Sequence, residues 1–325
     1  MSLPAIRAVR ENFASSEITL LAKRSVADLY AREKSIDKVI VHGTGRRETA
    51  RALRESRFHL GILFPNSFDS ALVLRLAGIP QIVGYNTDMR RLLLSHPVTP
   101  PSWKGTVHER FYYLELLQQA QLIDGYHQAD VPIRLDGADE AAEAGHAAFA
   151  DKGIAGPVVG VSPGAAYGGA KCWLPERFAE SAAGVAARLG ATVVLFGSPG
   201  DAEDCLAVEH ALKTLQTPVV NLAGQTTLRE FIDLAAACSV YLTNDSGSMH
   251  VASALGVPTV AVFGATNPKT TGPAGPCSIV VQEKVECSPC FKRECPIDHR
   301  CMTRVTADRV VQAAASLVRL EVPGA

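Results

Sequence analysis

From residue 18 almost to the end of the chain, short β-branched or aliphatic runs alternate with stretches of helical period. Strand, helix and strand in regular succession pack economically in one way, as a parallel sheet with helices on its faces. In the first half the pattern predicts strands over 18–22, 37–41, 59–64 and 81–84. Helices are predicted near 22–33, 45–57 and 67–77, and at 107–121. The second half repeats the scheme with strands over 158–162, 192–197, 218–222, 240–243 and 259–263. Helices near 175–189, 201–214, 227–237 and 246–255 link them. The Ala- and Gly-rich stretch at 141–156 reads as the seam. A chain of 325 residues has room for two such units. They are predicted over 1–150 and 151–305, as two Rossmann-like α/β domains facing each other across a cleft. A terminal segment, 306–325, carries an amphipathic helix over 306–320 with Val310, Val311, Ala314 and Leu317 on one face.

The opening departs from this scheme. Leu3, Ile6, Val9 and Phe13 recur at helical spacing behind Pro4, so the chain begins with a helix. In a doubly wound sheet the first strand is central, with later strands on both sides. The first unit therefore reads as lacking a strand where its sheet should be thickest.

Composition excludes several classes. Hydrophobic residues at 47% and charged ones at 20% are ordinary for a globular protein, not for a disordered chain or a coiled coil. No apolar run reaches the length of a membrane span. Residues 251–265 come nearest and are broken by Ser253, Gly256, Pro258 and Gly264. The start lacks the basic and apolar pattern of a secretory signal, so a cytoplasmic location is expected. Net charge is −1, made up of +5 over residues 1–135 and −6 over the remainder. An excess of positive charge in the first half fits an anionic partner there, although random scatter between two domains gives the same figure.

Chemistry-bearing residues gather at the carboxyl ends of predicted strands, where open α/β sheets bind ligands. The strand ending at Ser162 runs into Pro163-Gly164-Ala165-Ala166-Tyr167-Gly168-Gly169-Ala170-Lys171. Small residues let backbone N–H groups approach an oxyanion, and Lys171 adds a full positive charge. The segment is neither a Walker loop nor a G-x-G-x-x-G fingerprint, and it also reads as a plain Gly-rich connection with a solvated lysine. A second strand leads into Thr243-Asn244-Asp245-Ser246-Gly247-Ser248-Met249-His250. Its helix start offers unpaired N–H groups and the positive end of a dipole, and His250 sits within the first turns. Asp201 and Glu203 follow the strand over 192–197, the second of its domain, where acids accept hydrogen bonds from ribose hydroxyls. Leu222-Ala223-Gly224-Gln225-Thr226-Thr227-Leu228 has the character of an adenine pocket.

Together, Lys171 before Trp173 and Pro175, the Leu-Ala-Gly-x-Thr stretch at 222–226 and Asp245-Ser246-Gly247-x-x-His250 resemble glycosyltransferase family 9. Further support comes from Pro65-Asn66-Ser67-Phe68, from the 77–80 and 84–90 stretches and from the Cys-rich run at 287–296. The resemblance spans essentially the whole chain. It implies a GT-B fold whose C-terminal domain binds ADP-heptose, whose N-terminal domain binds the acceptor, and whose last helix crosses back to the first domain. The implied reaction is inverting transfer of heptose to the inner core of lipopolysaccharide, as its second heptose, with no cofactor. The implied acceptor is a lipid-linked core oligosaccharide, reached by peripheral contact with the inner face of the cytoplasmic membrane; nucleic acid is not an expected partner.

Carried over to this sequence, the resemblance gives Lys171 the diphosphate charge and sets His250 beside it. Ser246 and Gly247 supply backbone donors, with Ser162, Gly164 and Asp245 around them. Thr226 and Leu228 hold the adenine, and Asp201 or Glu203 reaches the ribose. Asn66, Asp88 and Arg90 face the acceptor, within the 85–90 loop and its neighbour. Family members begin with a strand and a Gly-Asp turn whose Asp is the base. Both are missing from this sequence, which therefore reads as a shortened form with weak or no transfer activity, with Asp88 or Glu109 as substitute bases. Another sugar transferase of the family and a nucleotide-sugar binding module without catalysis stay open as alternatives. An NAD-dependent oxidoreductase is disfavoured by the lack of a G-x-G-x-x-G turn.

Cys287, Cys290, Cys295 and Cys301 form C-x2-C-x4-C-x5-C with His299 nearby. Four thiolates can enclose zinc or an iron–sulfur cluster. The run lacks the paired C-x2-C knuckles of zinc ribbons, so reduced thiols or a disulfide are expected and no metal.

Overall fold

The computed structural model describes residues 1–127 and 131–318. Contacts divide the chain into two units, Met1–Val131 and Pro132–Ala325.

In the first unit, α1 (Leu3–Asn12), β1 (Thr19–Ala22), α2 (Arg24–Ala27), β2 (Lys38–Val41) and α3 (Arg46–Glu55) precede β3 (Leu60–Leu63). Then come α4 (Phe68–Leu76), β4 (Gln81–Tyr85), β5 (His96–Val98) and α5 (Glu109–Gln119). The helix expected over 22–33 is two short turns instead, α2 and a 3-10 turn at Asp28–Tyr30. All pairings are parallel, but they form two separate sheets, β1–β2 and β3–β4–β5. Among the described residues no ladder joins β1 to β3. The discontinuity falls where doubly wound order places a central strand. The apolar stripe of α1 buries Ala5 with Phe111, Leu114 and Leu117 of α5.

The second unit has one six-stranded parallel sheet in the order β11-β10-β9-β6-β7-β8. Its strands are β6 (Val158–Ser162), β7 (Thr192–Leu195), β8 (Val219–Asn221), β9 (Val240–Asn244), β10 (Thr259–Phe263) and β11 (Ser278–Gln282). The helices are α6 (Ala138–Asp151), α7 (Pro175–Leu189), α8 (Ala202–Thr214), α9 (Leu228–Ala236) and α10 (Gly247–Ala254). Short α11 (Pro268–Thr271) and α12 (Arg300–Thr303) and the final α13 (Ala307–Leu317) complete it. Strands β6, β9 and β10 are buried throughout, which is why they read as largely apolar runs with polar residues only at their ends.

Two readings are corrected. The 141–156 seam is largely the helix α6, and the division falls at 131/132 instead of 150. Ala and Gly there provide close helix packing: a Cβ on Gly145 would overlap the carbonyl of Asp233 on α9. The terminal segment packs Val310, Val311 and Ala314 into the core of the second unit, against α7, β10 and β11. The rest of the predicted final helix, residues 319–320, and the end of the expected crossing segment lie outside the described residues.

Candidate functional site

β6 and β9 are neighbours with Ser162 opposite Thr243, so their carboxyl ends deliver the 163–171 loop and the start of α10 to one place. Asn244 ties them together. Its amide oxygen accepts from the Trp173 N–H at 3.0 Å, and its NH2 donates to the Pro163 carbonyl. The Trp173 ring is fully buried against Phe178, with Nε1 donating to the Val305 carbonyl at 3.2 Å. Lys171, two residues earlier, is thereby fixed. Its Nζ donates to Oδ2 of Asp245 at 2.5 Å, and Thr266 Oγ1, just beyond β10, donates to the same oxygen at 2.6 Å.

A cavity of about 370 Å³ opens here, lined among others by Lys171, Asp245, Ser246, Gly247 and His250. The early amides of α10 and one lysine give it the character of an anion site, and its size suits a small ligand. Sequence reasoning missed Tyr167 and Phe291 in the lining, which also includes Thr266. Tyr167 donates to the Phe291 carbonyl at 2.8 Å, and its ring lies under Lys171 Nζ at 4.8 Å and the Arg293 guanidinium at 5.5 Å. The Cys-rich segment thus buttresses the loop. Ala170 N–H donates to the Arg293 carbonyl at 2.9 Å, and Gly168, at φ +144°, has no room for a Cβ beside that same carbonyl. Phe291 was legible only as a residue inside a cysteine motif, which hid its place at the cavity.

Other expected donor residues fall nearby in different roles. Ser162 is buried and its hydroxyl pairs with Tyr241 OH at 2.6 Å, inside the sheet. Gly164 lies against Asp201, where a side chain would collide. Asp201 closes a capping box, accepting from Ser198 N–H at 2.8 Å and Ser198 Oγ at 2.6 Å. Glu203 is exposed in the first turn of α8. Thr226 and Leu228 follow the edge strand β8, and Gly224 in that loop donates to the Gly197 carbonyl at 2.9 Å. The loops after β6, β7 and β8 therefore lie side by side, although Ser162, Asp201, Glu203, Thr226 and Leu228 do not line the cavity.

In the first unit Asn66, Asp88 and Arg90 are brought together. Asn66 Nδ2 donates to Tyr112 OH at 3.1 Å, and Asp88, at φ +50°, accepts from the Phe68 N–H at 2.5 Å. Arg90 is fully buried. It donates to the carbonyls of Tyr85, Pro65 and Ser67, so it braces the loop from within instead of meeting a ligand. Glu109 begins α5, and burial raises its carboxyl above the ordinary range, with Lys104 opposing.

The four clustered cysteines line a separate cavity of about 170 Å³ with His299. All are free thiols, and among the described residues no group of three His, Cys, Asp or Glu side chains is set to hold a metal ion. Burial pushes the Cys172 thiol, beside Lys171, up to about 11, so it is not a thiolate nucleophile near neutral pH.

Two parallel α/β units, the second with a cavity at adjacent strand ends, give the pair of Rossmann-like domains of the GT-B fold. The profile of glycosyltransferase family 9 (heptosyltransferase) matches residues 46–300, and the chain belongs to that family. Lipopolysaccharide heptosyltransferase 2 of Escherichia coli K12 is 33% identical over 292 residues, covering 84% of this chain and 81% of that protein. Lipooligosaccharide heptosyltransferase 2 of Haemophilus ducreyi is 30% identical, covering 98% and 95%. The solved structure of E. coli ADP-heptose lps heptosyltransferase II matches with a TM-score of 0.83 at 29% identity, over 98% of this chain and 95% of that one.

Proposed function

We propose that the protein transfers heptose from ADP-heptose to the inner core of lipopolysaccharide, at the second-heptose step. The observation that carries this reading is the junction of Lys171, Asp245 and the start of α10 at one cavity, in a chain whose relatives of similar length are named lipopolysaccharide and lipooligosaccharide heptosyltransferase 2. The second unit holds the donor. Lys171 and the Ser246 and Gly247 amides take the growing charge of the departing diphosphate, a role that needs no metal. His250 lies beside it, and the loops carrying Asp201, Glu203, Thr226 and Leu228 accommodate the nucleoside.

The first unit receives the acceptor at Asn66 and Asp88. An acceptor hydroxyl attacks the anomeric carbon, the bond to the diphosphate breaks with its electron pair leaving on ADP, and the proton passes to a base. Of the two acids considered for that role, Glu109 has the raised carboxyl a general base benefits from. Asp88 is engaged by a backbone N–H. A lipid-linked acceptor places the protein at the cytoplasmic face of the membrane as a peripheral partner. No helix among the described residues is long and apolar enough to cross it.

Incubation with ADP-heptose and a core acceptor bearing one heptose tests the reading. Release of ADP with a mass gain of one heptose is expected. Stabilisation by NAD but not by ADP, with no transfer, defeats it.

A further inference from the structure

The first unit carries an exposed apolar surface that the donor and acceptor chemistry leaves unused. Met89 and Leu92, in the turn after β4, are 93% and 91% exposed, the highest values among the large exposed apolar side chains of the described residues. Their presentation is built in. Asp88 and Met89 both have positive φ, a 3-10 turn follows at Arg91–Leu93, and Arg90 anchors the base of the turn in the core. Beside this turn, joined to it by the Phe68–Asp88 hydrogen bond, α4 turns Phe68 and Leu76 outward at 41% exposure each. Leu72 lies between them at i+4, so the three form one stripe on the face opposite buried Ala71 and Leu74. A soluble surface tolerates scattered apolar residues, but a contiguous patch marks an interaction site.

The surroundings say what kind of site. Residues 46–92 contain eight arginines and no lysine, against four acids. On α3, Arg47, Arg51 and Arg54 recur at i, i+4 and i+7, and all are exposed. Arg54 reaches across to the Leu76 carbonyl, so this basic stripe runs alongside the apolar stripe of α4. Arg75 and Arg91 are exposed beside Leu76 and Leu92. Apolar side chains rimmed by cations, on helices lying in the surface, match the interface of an anionic bilayer: the chains enter the acyl boundary while the guanidinium groups meet headgroup phosphates.

We infer that Phe68, Leu72, Leu76, Met89 and Leu92, with the Arg47, Arg51, Arg75 and Arg91 rim, form the surface by which this protein docks on an anionic lipid bilayer. The inference rests on the peripheral membrane contact proposed above and names the surface that makes it. It also places the loop of Asn66 and Asp88 at the lipid, where a lipid-linked acceptor presents its sugar.

Co-sedimentation of the full chain with phosphatidylglycerol–phosphatidylethanolamine vesicles, and with phosphatidylcholine vesicles, tests it. Binding is expected to the anionic vesicles only and to fall as salt rises. The double variant Met89→Asp/Leu92→Asp should abolish it. Arg47→Gln/Arg51→Gln should weaken it by about tenfold or more and flatten the salt dependence. Far-UV circular dichroism and a thermal unfolding profile like that of wild type report that each variant, its first unit included, is folded. If wild type binds and both variants bind equally well, the surface is wrong while membrane contact stands. If wild type ignores anionic vesicles, both fall. If the variants abolish only self-association, seen by light scattering without vesicle binding, the patch is a contact between copies and the inference is overturned. None of these outcomes bears on the donor reading, which ADP stabilisation and the transfer assay report separately.

Discussion

Lys171 Nζ sits 2.5 Å from Asp245 Oδ2, joining the loop after β6 to the start of α10 across 74 residues of sequence. Both side chains are largely buried, at 14% and 6% exposure. The pair keeps the lysine at the wall of the cavity that the first residues of α10 also line.

Replacing Lys171 by Ala should weaken ADP binding by roughly tenfold to a hundredfold, the range of a charged hydrogen bond. Calorimetric titration with ADP measures it. Adenosine affinity should change little, because only the diphosphate meets the lysine.

Thr266→Val removes the hydroxyl that donates to Asp245 at 2.6 Å while keeping its volume. The loss of one hydrogen bond to a carboxylate should weaken ADP binding by about tenfold. Thr266→Ser should restore it in the same titration.

Trp173 holds the loop with its N–H and the core with its ring. Trp173→Ala should lose about 3–5 kcal/mol of stability, measured by denaturant unfolding. Trp173→Phe should lose less and keep ADP binding, since the backbone N–H to Asn244 survives.

Gly145 decides between two opposed effects. In an exposed helix Gly→Ala gains about 1 kcal/mol. Here the new Cβ meets the Asp233 carbonyl, and overpacking of that kind costs about 1–3 kcal/mol. Gly145→Ala should therefore lower the thermal midpoint; a rise would show that α6 is not packed on α9.

Burial raises the Glu109 carboxyl in the folded state. Folded protein therefore binds that proton more tightly than unfolded chain does, and stability is lost as pH rises from about 4 through the folded value. Glu109→Gln should raise the thermal midpoint near pH 7, with the difference vanishing at low pH. If Glu109 is the base, the same variant lowers kcat strongly and leaves ADP affinity unchanged.

Strands β6 and β10 could be read to the residue because both faces are buried and, apart from Ser162 and Thr259 at their ends, they are built of Val, Ala, Gly and Phe. Edge strands β5 and β11 were missed: β5 is three residues long and contains Pro97, and β11 is mostly half-exposed, so neither gives a clean signal. The stretch that became α6 read as a linker, because its small residues are a packing feature visible only once α9 is beside it. At the site, Lys171, Asp245 and the helix start were legible, since strand ends fix them locally. Arg90 was not. The family resemblance set it facing the acceptor, whereas its donors satisfy the carbonyls of its own loop. Tyr167 and Phe291 depend on a contact between segments more than a hundred residues apart, which no local pattern encodes.

A crystal structure of this protein with ADP is the most direct test of whether the Lys171–α10 junction grips a diphosphate. Phosphate oxygens should lie about 2.7–3.2 Å from Lys171 Nζ and from the backbone nitrogens of Ser246 or Gly247. Clear density for the diphosphate elsewhere on the molecule, with those amides facing only water, would remove the foundation of the proposed donor site.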